Sequence, residues 1–304
     1  MQPKVVCVVG GTSGLGAAVA KQLGATLKPV KVFIAGRTLP QNASPESTTT
    51  LTSPRFEYAR IDVTSMKQCI AFADAVAADP LVKEHGLSAL VLSAGNLNFA
   101  LSRHVTPEGL ERTFALNYLS KFAIINRLMP ALLRANSARI VSVLAGGNGG
   151  YFDINDIQMQ KGSYNCIKQA TQTGVLVDLM TVQLSSLYSQ PVPTSLSLAP
   201  PRFYHFFPGI MNTNNPTNAN LPWYITTPLK LILPLVGQNP DVVARTNILP
   251  LLETSYLDLS LLSSGSLIHP GLKLAKHYDV LKDTSVRERL WEESKNLVDN
   301  ILLE

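Results

Sequence analysis

The pattern that most narrows the fold lies within the first two dozen residues. An apolar run from Lys4 to Val9 is followed by Gly10-Gly11-Thr12-Ser13-Gly14-Leu15-Gly16, and then by a helical stretch that opens Ala-Ala-Val-Ala-Lys-Gln-Leu. Strand, glycine turn and helix in direct succession form the opening unit of a doubly wound, parallel α/β sheet. Gly10 permits the tight turn, Gly14 lets backbone approach a pyrophosphate, and Gly16 lets the helix pack closely. The helix N-terminus, with Thr12, Ser13 and Leu15 around it, then faces an anion. Glycine also serves plain loops, so it is the flanking strand and helix that favour the anion-binding reading.

Short apolar runs alternate with longer amphipathic stretches through the first two thirds of the chain, as repeated β-α units require. The strands read as Lys4 to Val9, Val30 to Ala35, Phe56 to Ile61, Ala89 to Leu92, Ala138 to Leu144 and Arg202 to Phe207. Helices are expected from Gly14 to Leu23, Pro107 to Ala135 and Tyr164 to Leu187, with a last one from about Ser285 to Leu303. Between the second and third strands, Thr38 to Ser53 is short and rich in Ser, Thr and Pro, so the crossover helix there is expected to be degenerate. The expectation is one Rossmann-type domain over residues 1–304, its doubly wound sheet flanked by helices. At 304 residues with 46% apolar and 15% charged residues, the chain can bury one large core without a second domain.

A net charge of +5 comes from scattered basic residues, with no run that would mark a nucleic-acid arm, so nucleic acid is not an expected partner. Cys7, Cys69 and Cys166 are widely spaced and lack a CxxC pair, which points away from a disulfide framework or zinc site and toward a reducing, cytoplasmic setting. The N-terminus enters an apolar strand at once, leaving no room for the zones of a signal peptide. Leu221 to Val236 is apolar but carries Lys230 and three prolines, and it is too short to span a bilayer. It either caps a pocket or core or lies on a membrane surface, and the first is favoured because short apolar segments are more often buried in protein. None of the five histidines forms a metal-binding pair or sits in a nucleophile elbow, so no metal is expected.

The second strand ends at Gly36-Arg37, where a site for NAD would carry an acid for the ribose 2′-hydroxyl. Arg37 can instead pair with a 2′-phosphate through charge-assisted hydrogen bonds, which favours NADP(H). The spacing Gly10-x-x-x-Gly14-x-Gly16 resembles the glycine motif of the short-chain dehydrogenase/reductase family. The resemblance runs over about residues 4–215. Asp62-Val63 is similar to the family's adenine-contacting pair, and Ser93-Ala94-Gly95 to its Asn-Ala-Gly turn. Pro208-Gly209-Ile210, with Thr213 beyond, resembles the turn that contacts the nicotinamide end. The Leu290-Trp291-Glu292 helix is similar to the retinol-dehydrogenase-like branch. Val9 departs from the threonine usual in the family.

Tyr164-x-x-x-Lys168 places both side chains on one helix face, about one turn apart. A phenol with a pKa near 10 is a poor proton carrier at neutral pH, and a nearby ammonium would lower it. The resemblance implies that Tyr164 exchanges a proton with the substrate oxygen, that Lys168 also holds the nicotinamide ribose, and that the backbone of Asn117 supports a proton relay through water. The family's serine has no match: Ala145 stands at its position, and Ser142 falls three residues early, on the other face of the strand. The following Gly146-Gly147-Asn148-Gly149-Gly150 is read either as a source of replacement hydrogen bonds, through backbone N–H groups or the Asn148 amide, or as an adaptable lid. His205, in the sixth strand, is expected to have a core or sheet-end role.

Residues 211–236, with Trp223 and Tyr224, read as a substrate lid or as core packing, and favour a small hydrophobic substrate over a charged sugar. The leading expectation is an NADP(H)-dependent carbonyl reductase or alcohol dehydrogenase. Two others remain open: an enzyme that keeps NADP(H) but isomerises or cyclises its substrate, and a non-catalytic dinucleotide-binding protein. From the resemblance, a homodimer or homotetramer paired through the two long helices is expected.

Overall fold

A computed structural model describes residues 4–26, 30–40, 55–96, 100, 102–188, 198–212, 237–253 and 262–304. The described strands join into one sheet in the order β3-β2-β1-β4-β5-β6-β7-β8. They are β1 (Lys4–Val9), β2 (Val30–Gly36), β3 (Arg55–Arg60), β4 (Ala89–Leu92), β5 (Arg139–Val143), β6 (Arg202–Phe206), β7 (Ser266–His269) and β8 (Lys273–Leu274). All neighbours are parallel except β7 and β8. The central strands β1, β4 and β5 are buried almost throughout, as their runs of Val, Ile and Leu require, whereas the edge strand β3 alternates exposed and half-buried residues.

One sheet face is covered by α2 (Met66–Ala78), α5 (Ser120–Arg134), α6 (Cys166–Tyr188) and α10 (Thr284–Leu303); the other is covered by α1 (Gly14–Thr26) together with residues 240–252. Shorter helices are α3 (Pro80–His85), α4 (Arg112–Phe114), α7 (Pro240–Val243), α8 (Leu249–Leu252) and α9 (Asp279–Lys282). Six strands were legible at or within one residue of their observed ends. β7 and β8 are four and two residues long, too short to leave a readable alternation.

Two helix starts differ from expectation, and each has a capping residue as its reason. The helix expected from Pro107 begins at Arg112, because the Glu111 carboxylate accepts the N–H groups of Thr113 and Phe114 at 2.9 and 2.6 Å. It then passes through a π turn over Ala115–Leu119 before α5. The helix expected from Tyr164 begins at Cys166, because Asn165 Oδ1 accepts from Ile167 and Lys168 N–H, each at 3.0 Å. Tyr164 therefore precedes the helix, and the one-face relation to Lys168 derived from helical spacing does not hold. The stretch 41–54, where the crossover helix was expected to be degenerate, lies outside the described residues.

Candidate active site

The sheet order reverses between β1 and β4, so the crevice above their C-terminal ends is the binding position of such a fold. Gly10 leaves β1 with φ of 81°, and a Cβ there would overlap the backbone of Ala94. Both Ser93 and Ala94 donate their N–H to the Val9 carbonyl, which ties the two strand-end turns together. A Cβ on Gly16 would overlap the Gly10 carbonyl oxygen, so α1 can seat against the turn only with glycine at that position. Leu15 is buried beneath, while Ser13 and Gly14 are exposed at the N-terminus of α1. The Thr12 side chain lies over Gly36, and Arg37, next along, is exposed. The result is a cradle floored by glycine at a helix N-terminus, with the exposed Arg37 following Gly36 beside it. These features fit a dinucleotide phosphate chain.

Asp62 and Val63 follow β3 at the same end of the sheet. Asp62 Oδ1 accepts from the N–H and hydroxyl of Thr64, both at 2.9 Å, and Val63 is buried. Gly95 lies beside Asn117, whose side chain is fixed by three contacts: Oδ1 accepts from Asn96 N–H at 3.0 Å, and Nδ2 donates to Asn96 O at 3.0 Å and to Thr173 Oγ1 at 3.3 Å. Asn117 thus sits in the π turn and links the β4 turn to α6. Beneath that turn Lys121 is fully buried, donating to the carbonyls of Leu92 and Ala94, and burial lowers its pKa to about 7. Gly209 (φ 77°) and Ile210 leave β6 in a turn pinned by Gln238, whose N–H reaches Ile210 O at 2.8 Å. Thr213 and nearly all of the expected lid, Trp223 included, lie outside the described residues.

Tyr164 and Lys168 each meet other partners. Tyr164 Oη donates to Glu111 Oε1 at 3.1 Å, while Lys168 is exposed, with Nζ 4.8 Å from the Tyr151 ring centroid. Burial, and then the Glu111 carboxylate, push the Tyr164 pKa up to about 12, opposite to the lowering expected from a neighbouring ammonium. Glu111 is fully buried and also accepts from Gln169 Nε2 at 2.9 Å. Sequence reading missed it because a helix drawn from Pro107 hides its capping position. Ala145 packs against Gly174 of α6, and Ser142 is buried in mid-strand, paired with Leu92 and His205. In the glycine segment after Ala145, the N–H of Gly147 is taken by Asp178 and that of Asn148 by the Ala145 carbonyl, so neither is free for a substrate.

Among the described residues, no group of His, Cys, Asp and Glu could hold a metal ion, and no helix is long and apolar enough to cross a membrane. Cys7 and Cys69 are buried free thiols and Cys166 is half-buried and free.

The sequence profile of the family described as short chain dehydrogenase matches residues 4–152. Oxidoreductase andH of Emericella variicolor is 25% identical over 77% of this chain and 67% of its own length. Retinol dehydrogenase 13 of Mus musculus is 24% identical over 97% of this chain and 84% of its own. Two further fungal oxidoreductases are matched over only 59% and 57% of their lengths. Among solved structures, an uncharacterised protein of Mycobacterium paratuberculosis superposes with a TM-score of 0.64 at 21% identity, covering 97% of this chain and 93% of its own. The alcohol dehydrogenase of Thermococcus sibiricus, complexed with 5-hydroxy-NADP, superposes at 0.51 with 13% identity, covering 80% and 88%. The profile, the relatives and the sheet order agree: the chain is similar to the short-chain dehydrogenase/reductase family of oxidoreductases, and within it to the retinol dehydrogenases.

Proposed function

We propose that this protein is an NADP(H)-dependent carbonyl reductase, or the reverse alcohol dehydrogenase, acting on a small hydrophobic metabolite in the cytoplasm. The observation that carries the cofactor choice is Arg37, exposed at the end of β2 beside the glycine cradle, where an acid would suit NAD. The turn of Gly10, Thr12, Ser13, Gly14, Leu15 and Gly16 would hold the pyrophosphate. Asp62, Val63, Ala94 and Gly95 would flank the adenosine, and Gly209, Ile210 and Thr213 the nicotinamide end. Bound there, the dinucleotide supplies or accepts the hydride.

Tyr164 is the proton donor of this scheme, with Lys168 and Asn117 in support. Its raised pKa keeps the phenol protonated at neutral pH, which suits an acid that protonates a carbonyl oxygen, and so favours reduction. To act, Tyr164 exchanges the Glu111 carboxylate for the substrate oxygen, and Lys168 leaves Tyr151 for the ribose. A second reading, retention of NADP(H) for an isomerisation or cyclisation, draws on Ala145, which offers no hydroxyl to the substrate.

Fluorescence titration of NADPH and NADH, with wild type and Arg37→Ala, tests the cofactor assignment. NADPH should bind wild type the more tightly, and the variant should lose about tenfold or more for NADPH with little change for NADH. Equal losses for both cofactors would contradict the role of Arg37. Adding apolar ketones to the NADPH complex separates the two reaction types: NADPH consumption supports reduction, and rearranged product without consumption supports the second reading.

A further inference from the structure

Asp178, in the middle of α6, is fully buried and gathers donors from three other parts of the chain. The N–H of Gly147 reaches both its oxygens, at 3.1 and 3.2 Å; His205 Nδ1 lies 2.6 Å from Oδ1; and the Tyr278 hydroxyl donates to Oδ2 at 2.8 Å. With Asp178 as acceptor, the His205 proton sits on Nδ1, and Nε2 is buried without a partner. A fold that needed only stability would do as well or better with apolar side chains here, since a buried carboxylate and an orphaned ring nitrogen both cost free energy.

The segment that this carboxylate holds is pressed flat on its neighbours. A Cβ on Gly146 would overlap the His205 carbonyl oxygen, and one on Gly147, where φ is 73°, would overlap the Ala275 side chain. On Gly150 it would come within 2.6 Å of the Thr171 Cβ of α6. Gly146, Gly147 and Gly150 are therefore closely packed, which speaks against the adaptable lid that was one of the two readings of this segment. The segment starts at Ala145, where the family carries its serine, and runs into Tyr151, on whose ring Lys168 rests.

We propose that Asp178 is a positioning residue for the substrate: by holding Gly147, His205 and Tyr278 on one carboxylate, it fixes residues 145–151 as a rigid wall that orients a prochiral apolar ketone by shape, where Ala145 has no hydroxyl to do so. This inference rests on the reductase reading above. It adds a determinant of substrate orientation that lies away from the reacting atoms and leaves the cofactor cradle untouched.

The test uses the 304-residue wild type, Tyr278→Phe and Asp178→Asn, with Tyr278→Phe as the milder variant that removes one donor and no charge. Four quantities are read: NADPH affinity, KM and kcat for a prochiral apolar ketone, the enantiomer ratio of the alcohol, and amide exchange at Gly147. Tyr278→Phe should raise KM about tenfold and move the enantiomer ratio toward equality, with NADPH affinity within about twofold of wild type. Gly147 should exchange faster in both variants. Faster exchange with KM and enantiomer ratio unchanged would overturn the orienting role, and unchanged exchange in both variants would overturn the clamp itself. A wild type that binds NADPH and reduces no ketone would overturn the reductase reading and the orienting role together, while Gly147 exchange would still decide for or against the clamp.

Discussion

The chemistry open to Tyr164 depends on which charge its hydroxyl meets. Here it meets the carboxylate of Glu111 in a half-buried setting, and both influences disfavour the phenolate, so the pKa rises to about 12. A tyrosine acting as an acid must be protonated, and a group titrating near 12 stays so below that pH. The rate of reduction should therefore show no loss from Tyr164 between pH 7 and about 10, whereas alcohol oxidation, which needs the phenolate, should climb by about tenfold per pH unit toward 12. Glu111→Gln removes the negative charge and should bring the midpoint down from about 12 toward the ordinary value near 10. Superimposable pH–rate profiles would show that Glu111 does not govern Tyr164. The sequence made the candidate residues legible and their pairing illegible: Tyr164-x-x-x-Lys168 reads as a helical pair only if the helix starts before Tyr164, and Asn165 caps it one residue later. Glu111, Lys121 and Asp178 carry no motif, because what marks each is burial of a charge, which is a property of packing.

Helix α10 shows how a distant element supports the site. It packs against α2, α5 and α6, with Trp291 edge-on to Phe122 at 5.0 Å and Ser294 bonded to the Tyr118 hydroxyl at 2.7 Å. Ser294 already donates to Leu290 O, so Tyr118 is the donor in that pair. Tyr118 adjoins Asn117 in the π turn, and the bond therefore steadies the turn from behind. Ser294→Ala should cost about 1–3 kcal/mol in urea unfolding, because it leaves a buried hydroxyl without a partner. Adding Tyr118→Phe should recover part of that loss, and a double variant whose losses simply add would show that the bond is idle. The periodic pattern of α10 was legible to within a residue. The π turn was not, since one extra residue in a helix leaves no mark in an apolar stretch such as Phe114-Ala115-Leu116.

At the scale of the molecule, the strand order fixes one crevice, and the turns proposed to hold cofactor and substrate lie at that end of the sheet. The glycine turn after β1, the Ser93-Ala94-Gly95 turn after β4, the wall after β5 and the Gly209 turn after β6 all leave the C-terminal ends of parallel strands. That convergence was readable from the N-terminal pattern, because parallel topology sends every strand end to the same side. The pairing of chains through the two long helices was expected from resemblance alone, and in the structure α10 lies against both of those helices. The central claim is that Tyr164 delivers a proton during NADPH-dependent reduction. Its most direct test is a single turnover of NADPH with an apolar ketone, followed by loss of nicotinamide absorbance, for wild type and Tyr164→Phe at saturating cofactor. The account predicts equal NADPH affinity and a rate about a hundredfold or more slower in the variant; an undiminished rate in Tyr164→Phe would contradict it.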